Sequence, residues 1–441
     1  MARFNSKSKI SKCKSSTKTQ NLAGGEAYEM EPKNELVSIL LSSMVQDQYY
    51  RSSEETLLNF RKLIEKVDPK FSAKAAIYAR HKFGLRSITH ALAGELPHNI
   101  SKQSWIKNFF EKVIARPDDM LEILSYYANT YGKKKELSNG KIIYRNIPNS
   151  MKKGFAKKLS SLSEYHLAKY KGDNKAYSLV DLINLVHPVS TVSIDKLMKG
   201  KAKAETWEKT MTQAGQKGSS EEEILNLKKE GWNKLLKENK LAHMALLRNL
   251  RNIATQAPDA VDLACEKLTN EDSIKKSKVF PFRYYIAYKE FLDNQLISNV
   301  SRNKIIKALG KCLDVSCSNV PIMSGNTLVV CDYSGSMDSP LSEYGSIMYR
   351  ELGALMALVI GKNNSCDFVV FGNNASYVDQ PNPLSHILVN LDELLKVNRT
   401  IAPNVGHGTD FKSIFKVLKK SYDRIFIFSD MNLGLDMIVQ N

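Results

Sequence analysis

The segment Asp332-Tyr333-Ser334-Gly335-Ser336 sets one carboxylate and two hydroxyls at alternate positions of a short turn. Two further side-chain oxygens recur downstream in similar Gly/Ser surroundings. They are Thr409, in Gly406-His407-Gly408-Thr409-Asp410, and Asp430, in Phe428-Ser429-Asp430. An oxygen-only set suits a hard cation. Magnesium takes octahedral oxygen ligands and keeps several of its waters, so a few hydroxyls and carboxylates suffice. Asp332, Ser334, Ser336, Thr409 and Asp430 are therefore read as a site for Mg2+ or another divalent cation. The two aspartates supply charge directly or through water. So few protein charges leave a position open to an acidic group from a protein ligand. The competing reading is a plain Ser/Gly turn, and the two distal oxygens weigh against it. A strand-end aspartate also begins haloacid-type phosphatases, but these need a second aspartate two residues on, where this chain has Ser334. There is no paired carboxylate, Ser–His–Asp set or Walker loop, so the chain is not expected to be an enzyme.

A second chemistry is carried by basic residues. The formal net charge is +18. Residues 326–441 hold nine Lys/Arg and twelve Asp/Glu, a net of −3, which leaves +21 on the first 325 residues. Such asymmetry points to a polyanion partner for the first part. Residues 131–175 concentrate it, with twelve Lys/Arg against three acids and Tyr144, Phe155, Tyr165 and Tyr170 interleaved. Lysines contact phosphates and release counterions, and exposed aromatic rings can stack unpaired bases. Any single aromatic there is more readily a core residue. Arg80, His81, Lys82 and Arg86 form a second basic cluster. By contrast, residues 196–240 mix eleven lysines with seven glutamates, which reads as a solvated helical face.

The elements that position these groups fall into two kinds. From residue 34 to about 313 the apolar spacing is helical nearly throughout, as in 34–45, 71–79, 101–115, 117–131, 177–187, 241–253 and 283–292. Ser101 is a candidate N-cap. Pro117 suits the first position of its helix, and Gly132 suits the stop. About a dozen helices with short connections stack as an α-solenoid or bundle. After the turn-rich segment 316–326 the pattern changes. Strands are expected at 327–330, 366–372 and 424–430, alternating with helices at 346–360 and 410–420, which gives a doubly wound parallel sheet. The DYSGS turn then lies at the C-terminal end of a strand, where open α/β sheets bind ligands.

The six cysteines, at 13, 265, 312, 317, 331 and 366, form no Cys-x-x-Cys pair, which argues against structural zinc and a disulfide scaffold. No apolar run approaches the ~20 residues of a membrane span. The first twenty residues carry six bases and no acid. They read as a basic tail rather than a secretory signal, with a transit peptide the lesser alternative. A cytoplasmic protein with no membrane association is expected.

The Asp-x-Ser-x-Ser turn with its distal Thr and Asp resembles the metal-ion-dependent adhesion site of von Willebrand factor type A domains. Only eleven residues follow Asp430, so that domain is expected to be short at its C-terminal edge. Six earlier segments resemble the TROVE module of the Ro autoantigen family, particularly its bacterial and phage members: YARHKFGLRSITHALAGEL at 78–96, PNSMKKGFAKK at 148–158, YHLAKYK at 165–171, YSLVDLINLVHP at 177–188, MALLRNLRNI at 244–253 and PFRYYIAY at 281–288. Residues 1–23 are read from their composition as a basic disordered tail, and the resemblance implies a HEAT-like helical-repeat ring at 24–320 and a type A domain at 326–441. It also implies binding of small structured Y-like RNAs and of single-stranded ends of misfolded non-coding RNAs, in RNA quality control or as a scaffold. An exoribonuclease partner tethered through RNA is implied as well. By the same resemblance Lys169, Lys175 and His187 contact RNA, with Lys175 standing for a family arginine that falls near Asp173–Asn174; Lys171, in the same lysine-rich segment, is a further RNA-binding candidate. His187 alone reads equally as a helix C-cap beside Pro188. A magnesium-dependent protein–protein adhesion module without an RNA role is the alternative function.

Overall fold

A computed structural model describes residues 18–20, 26–43, 45, 52–100, 103–136, 142–145, 147–172, 175–292, 294–342, 345, 347–400 and 405–430. The chain divides into two compact units, Met1–Glu205 and Thr206–Asn441. This division falls inside the helical module expected at 24–320.

The first unit is a succession of helices from Pro32–Ser42 to Val192–Met198. Their starts follow capping chemistry. Ser52 accepts the Glu55 amide at 3.1 Å while the Glu55 carboxylate accepts the Ser52 amide at 3.0 Å, a reciprocal box that satisfies two otherwise orphaned donors. Pro117 opens Pro117–Tyr131, and Gly132 ends it as expected. The helix expected at 101–115 is Ile106–Val113, with Trp105 at its N-cap; Ser101 lies outside the described residues. Apolar faces of these helices make one core, with Phe60, Phe110, Phe155 and Leu92 fully enclosed. Gly154 is required there, because a Cβ would stand 2.5 Å from that of Phe110 on Ile106–Val113.

Two antiparallel hairpins interrupt the helical pattern, Lys18–Gln20 with Glu26–Tyr28 and Lys133–Glu136 with Ile142–Arg145. The second places part of the lysine-rich segment on strands rather than helices.

Two charged groups inside the first unit are fully satisfied. Glu95 accepts the Arg61 guanidinium at 2.9 Å and the hydroxyls of Tyr126 and Tyr131. Asp119 accepts Arg80 through Nε at 3.0 Å and Nη2 at 2.9 Å, His90 at 3.0 Å, and the amides of Ala115 and Arg116. Burial alone would raise the Asp119 pKa. The His90 hydrogen bond, the Arg80 charge and the Arg116 amide overcome it and hold the carboxyl well below its usual range.

The second unit begins with helices Trp207–Lys217 to Asn299–Ser316 and continues into a four-stranded sheet. The strand order is Ala375–Val378, Cys366–Phe371, Thr327–Asp332, Arg424–Phe428. The last three are mutually parallel, and Ala375–Val378 is antiparallel to its neighbour. The sheet is thus mixed where an all-parallel one was expected. Thr327–Asp332 is buried along its whole length, as the apolar run Leu328–Cys331 between two partner strands requires. One apolar core runs from Trp232 and Tyr284 on the helices to Val329, Leu355 and Phe368 around the sheet. Polar contacts cross the same junction. Glu351, which caps Tyr349–Gly361, accepts Lys289 Nζ at 2.8 Å and Tyr285 Oη at 3.2 Å. Among the described residues no helix is long and apolar enough to cross a membrane.

Candidate functional site

The oxygen-rich turn stands at the C-terminal end of the central strand, as its sequence implies. Asp332 is only 1% exposed. Its Oδ1 accepts the Ser334 amide at 2.8 Å, and its Oδ2 accepts the Ser429 hydroxyl at 2.6 Å. The Ser334 and Ser336 hydroxyl oxygens lie 3.2 Å apart. The Ser429 contact brings the strand end that carries Asp430 to the turn. The Gly335 amide donates to the His407 carbonyl at 2.9 Å, which brings in the loop that carries Thr409. That loop needs its glycines. A Cβ on Gly408 would meet the Asn373 side-chain amide at 2.4 Å, and Gly406 has φ +72°. Asp410 closes the loop as the N-cap of Phe411–Lys416, accepting the Lys412 amide at 2.8 Å. Thr409 and Asp430 are both half-buried.

Among the described residues Asp332 has no basic side chain in ion-pair range. Arg350 lies over the Tyr333 ring and pairs with Asp338 at 2.6 Å instead. A buried carboxylate beside two hydroxyls and without a cation is a donor set that fits a hard metal ion. The adjacent Cys331 thiol is pushed up to about 12 by burial and by the Asp332 charge. Among the described residues no three His, Cys, Asp or Glu side chains converge as a metal cluster.

The basic residues are placed differently from one another. Lys169 is exposed at the end of Glu164–Lys169. Its ammonium lies 5.5 Å from the Tyr165 ring centroid and 5.7 Å from that of Tyr170. The Arg116 guanidinium covers the Tyr170 ring at 4.8 Å. Tyr165 is 41% exposed, whereas Phe155 is core and the Tyr144 side chain lies outside the described residues. Lys171 is half-buried, and its carbonyl accepts the Leu179 amide at 2.8 Å. Lys175 is exposed and pairs with Glu122. Asp173 and Asn174 lie outside the described residues. His187 is exposed in the left-handed region, φ 49°, as the C-cap of Leu179–Val186. Arg116 was not legible as part of this group, since it is far in sequence from Tyr170 and reads as a residue before Pro117.

The second basic cluster splits. Arg80 is corrected: it is 6% exposed and its guanidinium is fully engaged by Asp119, so it has no face for a phosphate. Arg86 is half-buried and tied to Asp118 at 2.7 Å. His81 and Lys82 stay exposed, with His81 Nε2 2.7 Å from the Lys112 carbonyl.

A long succession of helices, followed in the chain by an open α/β sheet with an Asp-x-Ser-x-Ser turn at its central strand end, defines the Ro-type architecture. The TROVE domain profile matches residues 28–229 and 194–312, and the chain belongs to the TROVE domain family. The Ro (RSR) protein of Deinococcus radiodurans shares the fold, with a TM-score of 0.58 at 14% identity over 82% of this chain and 79% of that one. Telomerase protein component 1 of Mus musculus is 20% identical over 367 residues, and that of Rattus norvegicus 22% over 366. The aligned region is 62% of this chain but 13% of either relative.

Proposed function

We propose that this protein is an RNA-binding, Ro-like ribonucleoprotein component without catalytic activity of its own. It binds small structured Y-like RNAs and the single-stranded ends of misfolded non-coding RNAs, in quality control or as a scaffold that tethers an exoribonuclease through RNA. The observation that carries this reading is the exposed Lys169 ammonium between two tyrosine rings, inside the TROVE-matched segment; Arg116 covers the second ring while Asp118 holds its guanidinium, so Lys169 is the cation offered to a phosphate. Cations set against aromatic faces suit a phosphate backbone with unpaired bases beside it. The test is filter binding of a structured RNA across a salt series. Neutralising roughly six phosphates makes affinity fall ~10³-fold between about 50 and 200 mM salt. No binding at low salt overturns the reading.

Asp332, Ser334, Ser336, Thr409 and Asp430 would hold one divalent cation, magnesium by ligand type. Bound there, the ion would supply a positive centre for an acidic group of a protein ligand. The chain's own contribution is to bury Asp332 and orient it through Ser334 and Ser429.

A further inference from the structure

The second unit carries a groove that neither lysine cluster accounts for. It lies between His243–Gln256 and Pro281–Leu292, with a volume of about 350 Å³. Met244, Leu247 and Ile286 line it with apolar surface, and Arg248, Arg283 and Glu290 stand around it. Glu290 is neutralised by Arg251 at 2.9 Å. Among the described residues neither Arg248 nor Arg283 has a carboxylate partner, and both are exposed. The Arg283 guanidinium rests on the Phe282 ring at 5.0 Å. Phe282 in turn stacks on Phe280, with centroids 5.9 Å apart and planes 18° from parallel. Phe280 is 54% exposed.

We propose that this groove binds a segment of single-stranded RNA, with Arg248 and Arg283 on its phosphates and Phe280 stacked on a base. The proposal rests on the RNA-binding reading above and adds a second subsite on different residues. Two unpaired guanidinium groups call for an anion, and guanidinium geometry matches phosphate. An exposed phenyl ring, itself backed by a second ring, calls for a flat apolar partner. A single strand supplies both together. A duplex offers phosphates but keeps its bases stacked inside. An acidic peptide offers charge but no regular ring surface.

The test uses the full chain and anisotropy of a labelled short oligouridylate, with a blunt RNA hairpin as the second probe. Phe280→Ala lowers oligouridylate affinity ~30-fold, the middle of the range for one stacked base, and leaves its salt dependence unchanged. Arg248→Gln with Arg283→Gln lowers affinity and also reduces the slope of log affinity against log salt by ~1.4, about 0.7 per single-strand phosphate contact. Hairpin affinity is unchanged in both. Melting curves matching wild type establish that the variants are folded, as expected for exposed positions. Wild-type oligouridylate affinity in both variants overturns the groove alone, provided the wild-type chain binds the hairpin. Displacement of oligouridylate by polyglutamate, itself dependent on Phe280, overturns it in favour of an acidic protein segment. Failure of the wild-type chain to bind either RNA overturns both this proposal and the reading beneath it.

Discussion

Asp119 shows how a single side chain decides which basic residues are free. It takes Arg80, His90 and two backbone amides, so Arg80 serves stability rather than recognition. Asp119→Asn leaves the buried Arg80 charge without its counterion, and breaking such a pair costs about 3–5 kcal/mol. Urea unfolding of the variant checks this. The Asp119 pKa is depressed in the folded chain. Its contribution is therefore complete above the unfolded carboxylate value near ~4 and is lost as pH falls towards the folded value. At Lys169 the expectation is functional. Lys169→Ala with Lys171→Ala weakens binding of every structured RNA alike, because phosphate contacts position rather than specify. Unchanged affinity in the folded double variant would move the interface elsewhere. Asp332→Ala abolishes the heat of magnesium binding in calorimetry and leaves RNA affinity intact; equal heats in wild type and variant would reduce the motif to a turn. The sequence marks Arg80 and Lys82 alike as basic. What it hides is direction, since successive helix positions turn by about 100° and one side chain enters the core while its neighbour meets water.

Between neighbouring helices of the second unit, His243 is the buried histidine whose protonation bears on packing. Its ring nitrogens meet Tyr284 Oη at 2.7 Å and Ser273 Oγ at 3.2 Å, and burial lowers its pKa. The folded state thus favours the neutral ring. Between the folded value and the unfolded value of ~6.5 the unfolded chain binds more protons, so stability rises with pH through that window. Wild type should lose more denaturant resistance between about pH 7 and pH 5 than His243→Gln. An identical loss in both would place the effect on other groups. At this scale much was legible. The β-branched and apolar run at 327–330 announces a central strand, and Pro117 and Gly132 mark a helix at both ends. Ala375–Val378 was missed because it is short, half-exposed along most of its length and held by a single neighbour. The hairpin Lys133–Glu136 with Ile142–Arg145 was hidden by three consecutive lysines, which carry a charge signal stronger than their strand signal. Its connecting Asn139-Gly140 dipeptide was the cue available.

At the scale of the whole molecule, the core of the second unit ignores the change in sequence character near residue 320. Leu309 and Leu313 on Asn299–Ser316 share it with Ile387 and Leu391, and Asp314 accepts the Ile387 amide at 3.0 Å. A chain cut after residue 320 should therefore lose helical signal from residues 206–320 as well as the sheet. Far-ultraviolet dichroism of the truncated protein reads this directly. Helix content equal to that of the same segment in the full chain would show that the helices stand alone.

The shared core also bears on how such a chain can be inherited. A recombination event at the linker near residue 320 would be silent in reading frame and natural by motif. It would still deliver to its new host a helical block with one face stripped of its matching surface. A chimera joined there would keep this match only if Glu351 and its neighbours came together with Tyr285 and Lys289.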